Sequence, residues 1–502
     1  MLMTVNSADA RELTGRPTTV AAPAGTVAGR VTDGVRGFAG IPYSAPPVGV
    51  LRWRPPAPPQ RWKGTRDASR FGNDCPQQRL PRDLTPSDQP MSEDCLSLNL
   101  WAPERARRLP VMVWIHGGGF VMGSSASPVL DGAKLARRGV VLVSFNYRLG
   151  RFGFFSHPAL GDGGQRSANF AFEDMIAALK WVRGNVAAFG GDPRNVTIFG
   201  ESAGGAAVDF LLAAPQARGL FHKAIVQSGA NREPYARLDR DRPARISADH
   251  AGAAFAASAG LSNPSAAALR ALPAEAIQGK LGLLDQQPDR FTGPVIDGVT
   301  VLDDPVEQFG AGAVPRVPYL IGSNGAELSA EPFVPILLDL IKAALGPGFA
   351  ALGGSYGDPP SPALIDDYYF GEAARGYARI MAGHGAPTWL YRFDHVTAAE
   401  RATRQRAQHA SDIAFVFGNL PPGADAQDRA VSDLLGTYWT NFARAGDPNG
   451  FGLPRWERVA SGGNAALIVA AGSAATRELG NAARLDAVER AMNERRAREN
   501  LQ

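Results

Sequence analysis

Cysteine is almost absent: Cys75 and Cys95 are the only two in 502 residues. They flank a polar, proline-bearing loop, and no histidine lies nearby to complete a metal site with them. Their spacing leaves two readings open. One is a disulfide, worth about 3 kcal/mol in the chain-entropy model; the other is a pair of free thiols in a reducing compartment. No uninterrupted run of 18 apolar residues occurs, so no transmembrane segment is expected. The first 25 residues carry Asp9, Arg11, Glu12 and Arg16 without an apolar core, which is unlike a secretory signal. Residues 1–25 are expected to form a flexible N-terminal segment, of a cytoplasmic chain or of a mature exported one. A charge excess is also missing. Lys plus Arg number 52 against 48 Asp plus Glu, for a net +4 with the signs interspersed, and that excludes a nucleic-acid footprint. The tail arginines Arg490, Arg495, Arg496 and Arg498 alternate with Glu489, Glu494 and Glu499, the pattern of a solvated terminal helix. No repeat, low-complexity block or linker interrupts the chain, so residues 1–502 read as one large domain with insertions. Hydrophobic residues at 45% supply a substantial core, while 57 Gly and 39 Pro imply many turns and long loops.

What is present centres on Val196–Gly205. Val196 to Phe199 reads as a short buried strand, Gly200-Glu201-Ser202-Ala203-Gly204 is a G-x-S-x-G turn, and the small apolar residues after it open a helix. In that context the motif forms a nucleophile elbow, a turn so sharp that the serine is strained and exposed. Gly353-Gly354-Ser355-Tyr356-Gly357 fits the same pattern but runs into Asp358-Pro359-Pro360, which cannot begin a helix in that register. Ser355 reads as a loop serine.

Leu96 to Trp101, Val111 to Ile115, Val140 to Phe145, Ala224 to Gln227, Pro318 to Gly322 and Trp389 to Phe393 read as further strands. Asn169 to Phe189 carries an apolar stripe at helical spacing. Arg30 to Pro56 is proline-rich and reads as an ordered crossing rather than a ladder. Phe333 to Leu345 is an apolar helix, either a pocket wall or lid or a core helix. Alternation of strand and helix from residue 111 to 228 predicts a mostly parallel sheet with helices on both faces, and places functional groups at the carboxyl ends of its strands. Ser202 falls there, and so does His116-Gly117-Gly118-Gly119, whose glycines let consecutive N–H groups point at a developing oxyanion. Phosphate cradling would instead need a lysine soon after the loop, and none occurs before Lys134.

A serine nucleophile needs a base, and His222, His250, His384, His395 and His409 follow Ser202. His222 lies at the amino end of a strand and His250 in a poorly patterned helix, while His384 and His395 flank a strand. His409 sits in a loop after the last clear strand, downstream of Glu327, itself just past a strand's carboxyl end. Asp297, Asp394 and Asp412 are rival carboxylates.

The chain resembles the type-B carboxylesterases of the carboxylesterase/cholinesterase family, with the α/β-hydrolase fold. The resemblance rests on Phe189 to Gly204, Glu93 to Trp101, the run Phe38 to Pro47, the triple glycine, Asn146 to Gly150, Gln227-Ser228-Gly229 and Gly446-Asp447-Pro448-Asn449. It covers roughly residues 25 to 460. It implies a large, mostly parallel sheet with long insertions over the active site, and hydrolysis of uncharged carboxylic esters through an acyl-enzyme. Amide or carbamate hydrolysis by the same residues is the alternative; a non-catalytic binding protein is disfavoured because every catalytic part is present. By resemblance Ser202 is the nucleophile, Glu327 the orienting acid and His409 the base, and Gly118, Gly119 and Ala203 form the oxyanion hole. Glu201 and Ser228 match positions beside the triad. Cys75–Cys95 is the family's first disulfide, which tips localisation toward secreted or periplasmic. Arg52 with Glu93 and Arg148 with Asp174 match the family's ion pairs. The departures are Ser97, Ala171, Met175, Leu328 and Ala410. No cofactor and no metal are implied. The expected partner is a small-molecule ester, for a monomer or weak homo-oligomer, and the pH–rate profile is expected to rise near the ordinary histidine value of about 6.5.

Overall fold

The computed structural model describes residues 11–80, 83–161, 164, 166–229, 232–242, 245–331 and 333–500. A 13-stranded sheet runs through the molecule. Its first part is antiparallel: Arg16–Ala22, Gly25–Thr32, Val35–Pro42, Ser97–Pro103 and Val141–Phe145 pair in that spatial order. From Val141–Phe145 onward the neighbours are parallel, in the order Leu109–Ile115, Gly191–Glu201, Lys223–Gln227, Tyr319–Asn324, Thr388–Phe393 and Ala465–Ala470. Ser473–Glu478 closes the far edge antiparallel. The parallel strands are buried along nearly their whole length, the burial expected when helices cover both faces.

The expected mostly parallel sheet is found, and four local readings change. The segment expected to be flexible through residue 25 instead contributes Arg16–Ala22, which pairs residue for residue with Gly25–Thr32 through the tight turn between them; residues 1–10 lie outside the described residues. The proline-rich crossing begins as a strand: Val35–Pro42 ladders on both sides, with its irregularity confined to Phe38–Ile41, where Gly40 takes φ 65°. Only the prolines after Pro42 stop it. The C-terminal helix Ala482–Asn500 is not solvated all round. Leu485, Val488, Ala491 and Met492 are buried, and Asp486 and Glu489 pair with the fully buried Arg375 at 2.6 and 2.8 Å.

Val334–Leu345 packs Ile341 and Leu345 against that C-terminal helix but leaves Ile336 and Leu340 more than half exposed. The stretch Val334–Tyr356 has the length and mean hydropathy, 1.5, of a membrane span, with 22% of the window buried. Gly346 and Pro347 interrupt it after Leu345. Ser355 lies in the one-turn helix Gly353–Tyr356, not in a loop.

Cys75 and Cys95 are disulfide-bonded. Arg52 grips Glu93, with Nε 2.8 Å from Oε2, and Arg148 holds Asp174 in a fork at 2.8 and 2.7 Å. These buried pairs pin loops to the sheet, and removing one partner of either would strand a buried charge.

Candidate active site

The strand Gly191–Glu201 delivers Ser202 to the start of the helix Ala203–Ala213. Ser202 adopts φ 55° and ψ −124°, a conformation strained for any residue with a Cβ. The chain turns too tightly there for side chains on either flank. A Cβ on Gly200 would lie 2.5 Å from Gly204, and one on Gly204 would overlap Ile115 O. Ser202 N–H donates to Gln227 O at 2.9 Å, tying the turn to the neighbouring strand. The glycine-rich loop after Leu109–Ile115 passes directly beneath: a Cβ on Gly117 would sit 3.1 Å from Ser202 Cβ. Gly118 and Gly119 take φ 100° and 61°, and Gly118 O accepts from Val121 and Met122 N–H. Gln77, next to the disulfide, braces this loop by exchanging two hydrogen bonds with Gly123.

Glu327 follows the strand Tyr319–Asn324 and is 1% exposed. Its Oε1 accepts from Ser228 Oγ at 2.7 Å and Asn324 N–H at 2.6 Å, and its Oε2 lies 2.7 Å from His409 Nδ1. His409 N–H also donates to Glu327 O at 3.0 Å, so backbone and side chain hold the two residues in register. With a carboxylate at Nδ1, that nitrogen carries the proton and Nε2 is left facing the elbow. Glu201 Oε1 stands 3.2 Å from Nε2, out of line for a hydrogen bond.

The rival carboxylates are engaged elsewhere. Asp412 accepts from Gln227 and Tyr391, Asp394 from Arg406, and Asp297 from Asn169 and the N–H groups of Val299, Thr300 and Val301. The other histidines are likewise spoken for: His222 Nδ1 accepts from Val196 N–H, His395 meets Asp428, and His250 and His384 meet Asp241 and Gly310 O. His116 is buried against Tyr147, and that burial pushes it down to about 4.

Burial pushes Glu201 up to about 8. Burial opposes the charged form of His409 as well, but there Glu201, Glu327 and Asp412 outweigh it and raise the imidazole to about 9. Glu201 and His409 face each other, so each favours the other's charged form: Glu201 raises His409, while His409 works against the burial that raises Glu201. The value near 6.5 expected from sequence ignored these neighbours. If His409 serves as a base it works only when neutral, and activity should then rise with pH through an ionisation above the ordinary histidine value. Glu201→Gln should move that limb down by about one pH unit or more, measured as kcat/KM against pH; an unmoved limb would show that Glu201 does not set it.

Two residues escaped the sequence reading. Phe370 packs its ring on His409, centroid to centroid 4.8 Å. Four residues earlier, Asp366 Oδ1 accepts from Leu328 N–H at 2.8 Å and Ser329 N–H at 3.0 Å, fixing the loop immediately after Glu327. Phe370 lies in the π-helical turn Asp367–Gly371 and Asp366 immediately before it, so one irregular segment packs on His409 and holds the loop after Glu327. Asp366→Ala should lower kcat on the order of tenfold with KM little changed, as expected when reacting groups are displaced rather than removed. Asp366→Asn keeps an acceptor and should restore most of the rate.

A large mostly parallel sheet, helices on both faces and a strained serine between strand and helix at its carboxyl edge define an α/β-hydrolase. A family model described as Carboxylesterase family matches residues 16–337 and 360–486. Fumonisin B1 esterase of Sphingopyxis macrogoltabida is 37% identical over 459 residues, 85% of this chain and 82% of that protein. Para-nitrobenzyl esterase of Bacillus subtilis (strain 168) is 36% identical over 455 residues, covering 85% and 89%. A solved PNB esterase superposes with a TM-score of 0.82 at 34% identity, over 94% of this chain and 99% of its own. The chain belongs to the carboxylesterase family and is a carboxylic ester hydrolase.

Proposed function

We propose that Ser202, His409 and Glu327 hydrolyse uncharged carboxylic esters through an acyl-enzyme. The observation that carries this reading is the 2.7 Å contact of Glu327 with His409 Nδ1, with Nε2 turned toward the elbow. His409 Nε2 removes the Ser202 hydroxyl proton as Oγ attacks the carbonyl carbon. Glu327 stabilises the imidazolium that forms. The tetrahedral oxyanion lies against the N–H groups of Gly118, Gly119 and Ala203; that of Ala203, at the first position of its helix, has no intrahelical acceptor. Collapse returns the proton from Nε2 to the leaving alkoxide. Water then repeats the sequence on the acyl-Ser202 ester, releasing the acid and restoring the serine.

The chain works as one domain, as a monomer or weak homo-oligomer, and the disulfide fits a secreted or periplasmic setting. Diethyl p-nitrophenyl phosphate should release one p-nitrophenol per chain and abolish activity, with the phosphoryl group mapping to the peptide that holds Ser202. p-Nitrophenyl esters of graded acyl length then rank the substrates. Labelling elsewhere, or activity that survives stoichiometric labelling, would overturn the assignment.

A further inference from the structure

Charges interspersed along the chain gather at one place in space. At the amino ends of the parallel strands, across the length of Gly191–Glu201 from Ser202, residues 104–108 and 190–194 form a cleft of about 840 Å³. Arg105, Arg107, Arg108 and Arg194 are exposed around it, and half-buried Arg36 lies among them. Only two carboxylates accompany these five cations among the described residues. Glu104 is already paired with Arg16, and Asp192 stands 3.6 and 3.8 Å from Arg108 and Arg194. Arg105 and Arg107 meet no carboxylate among the described residues.

A second cleft, of about 390 Å³, lies along the helix Ala426–Ala445. Lys134, Arg137, Arg138 and Arg429 line it with one carboxylate, Asp433, which Arg138 holds at 2.6 Å. Lys134 donates to Gly418 O and Arg429 to Ala424 O, yet neither they nor Arg137 have an ion-pair partner among the described residues. Arg444, exposed near the end of the same helix, joins the two clefts. Its Nη2 donates to Arg138 O at 3.3 Å, and its carbonyl accepts from Asn195 Nδ2, next to Arg194, at 3.2 Å. From Arg429 to Arg444 the helix advances roughly 22 Å, so the clefts form one basic stripe. Its cations exceed its carboxylates by more than the whole chain's excess of four.

Cations held this close repel one another. A polyanion laid along them relieves that repulsion and releases its own counterions. Arginine suits this task, because its planar fork matches phosphate oxygens two at a time. Among the described residues no aromatic side chain lines either cleft, so the bases of a nucleic acid would find nothing to stack on. The clefts are concave, which suits a thin chain and not a flat bilayer. What fits is a flexible string of phosphates without bases.

We propose that this stripe binds a linear polyphosphate chain seated across both clefts. The ester-hydrolysing residues lie at the opposite ends of the strands and take no part.

The probe is fluorescein-tagged linear polyphosphate long enough to reach both clefts, followed by anisotropy with the native protein over a range of salt. Saturable binding that weakens steeply with salt is expected. Arg105→Ala with Arg107→Ala, and separately Arg137→Ala with Arg429→Ala, should each weaken binding on the order of tenfold and flatten the salt dependence. Esterase kcat should stay at the wild-type value in both. Arg61→Ala with Arg477→Ala removes the same charge from exposed positions off the stripe and should change binding little. No saturable binding, an equal loss from that control pair, or either stripe pair without effect would each overturn the proposal. So would an oligothymidylate of equal charge, or phosphatidylglycerol vesicles, competing as well as untagged polyphosphate.

Discussion

Ser202→Ala is expected to lower kcat/KM for p-nitrophenyl esters by on the order of 10³ to 10⁶-fold, the span seen when a triad loses its nucleophile. The substitution removes one oxygen at a turn whose shape is set by its neighbours. Gly200, Gly204 and Gly117 supply the clearance, and the Ser202 N–H bond to Gln227 O needs no side chain. Alanine keeps the Cβ that already occupies φ 55°, so the strain there is unchanged and the melting temperature should be retained. Ser355→Ala is the internal control. That serine has the same flanking glycines but sits in a one-turn helix, where a Cβ on Gly353 or Gly354 would meet nothing within 4 Å. It should leave the rate untouched. If Ser202→Ala retains substantial activity while losing no stability, the elbow is not the reactive turn.

The contrast between those serines shows what was legible from the chain. A buried strand, a glycine-framed turn and small residues opening a helix are local features, and the steric clearance they encode is the clearance found around Ser202. The strands around the elbow were legible for the same reason, since they are continuous apolar runs bounded by glycine and polar loops. Legibility failed where a residue's role depends on a partner far along the chain. Asp366 matters because Leu328 and Ser329 lie against it, 38 and 37 residues away in sequence. Phe370 is one aromatic residue in an acidic, aromatic run until His409 is packed under it. The tail helix reads as solvated from its alternating charges, yet those charges meet buried Arg375. Ala465–Ala470 went unread because alanines carry little strand signal, although Ala466, Leu467 and Val469 are fully buried beside Thr388–Phe393. The upward shift at His409 was not legible for a similar reason: the chain does not announce that Glu201 will face the ring.

Glu327→Gln tests the proposed acid, whose sequence context departs from the family's pattern with Leu328 following it. Glutamine keeps the size and can keep an acceptor for Ser228 Oγ and Asn324 N–H, so the loop should hold, helped by Asp366 on Leu328 and Ser329. What it loses is the charge beside Nδ1. The amide can also present N–H toward the ring, which favours the tautomer with its proton on Nε2 and no lone pair toward Ser202. We expect kcat to fall on the order of 10³ to 10⁴-fold at neutral pH, with KM and melting temperature little changed. Removing that charge also removes one of the carboxylates that raise His409, so the residual activity should show its pH limb shifted downward. Asp412→Asn provides the contrast. Its carboxylate is committed to Gln227 Nε2 at 2.8 Å and Tyr391 OH at 3.0 Å, so its loss should act on packing and only through distance on the imidazole. Asp297→Asn and Asp394→Asn should behave as structural changes alone. A crippled Asp412→Asn enzyme beside an active Glu327→Gln enzyme would reassign the acid, leaving Ser202 and His409 where they stand.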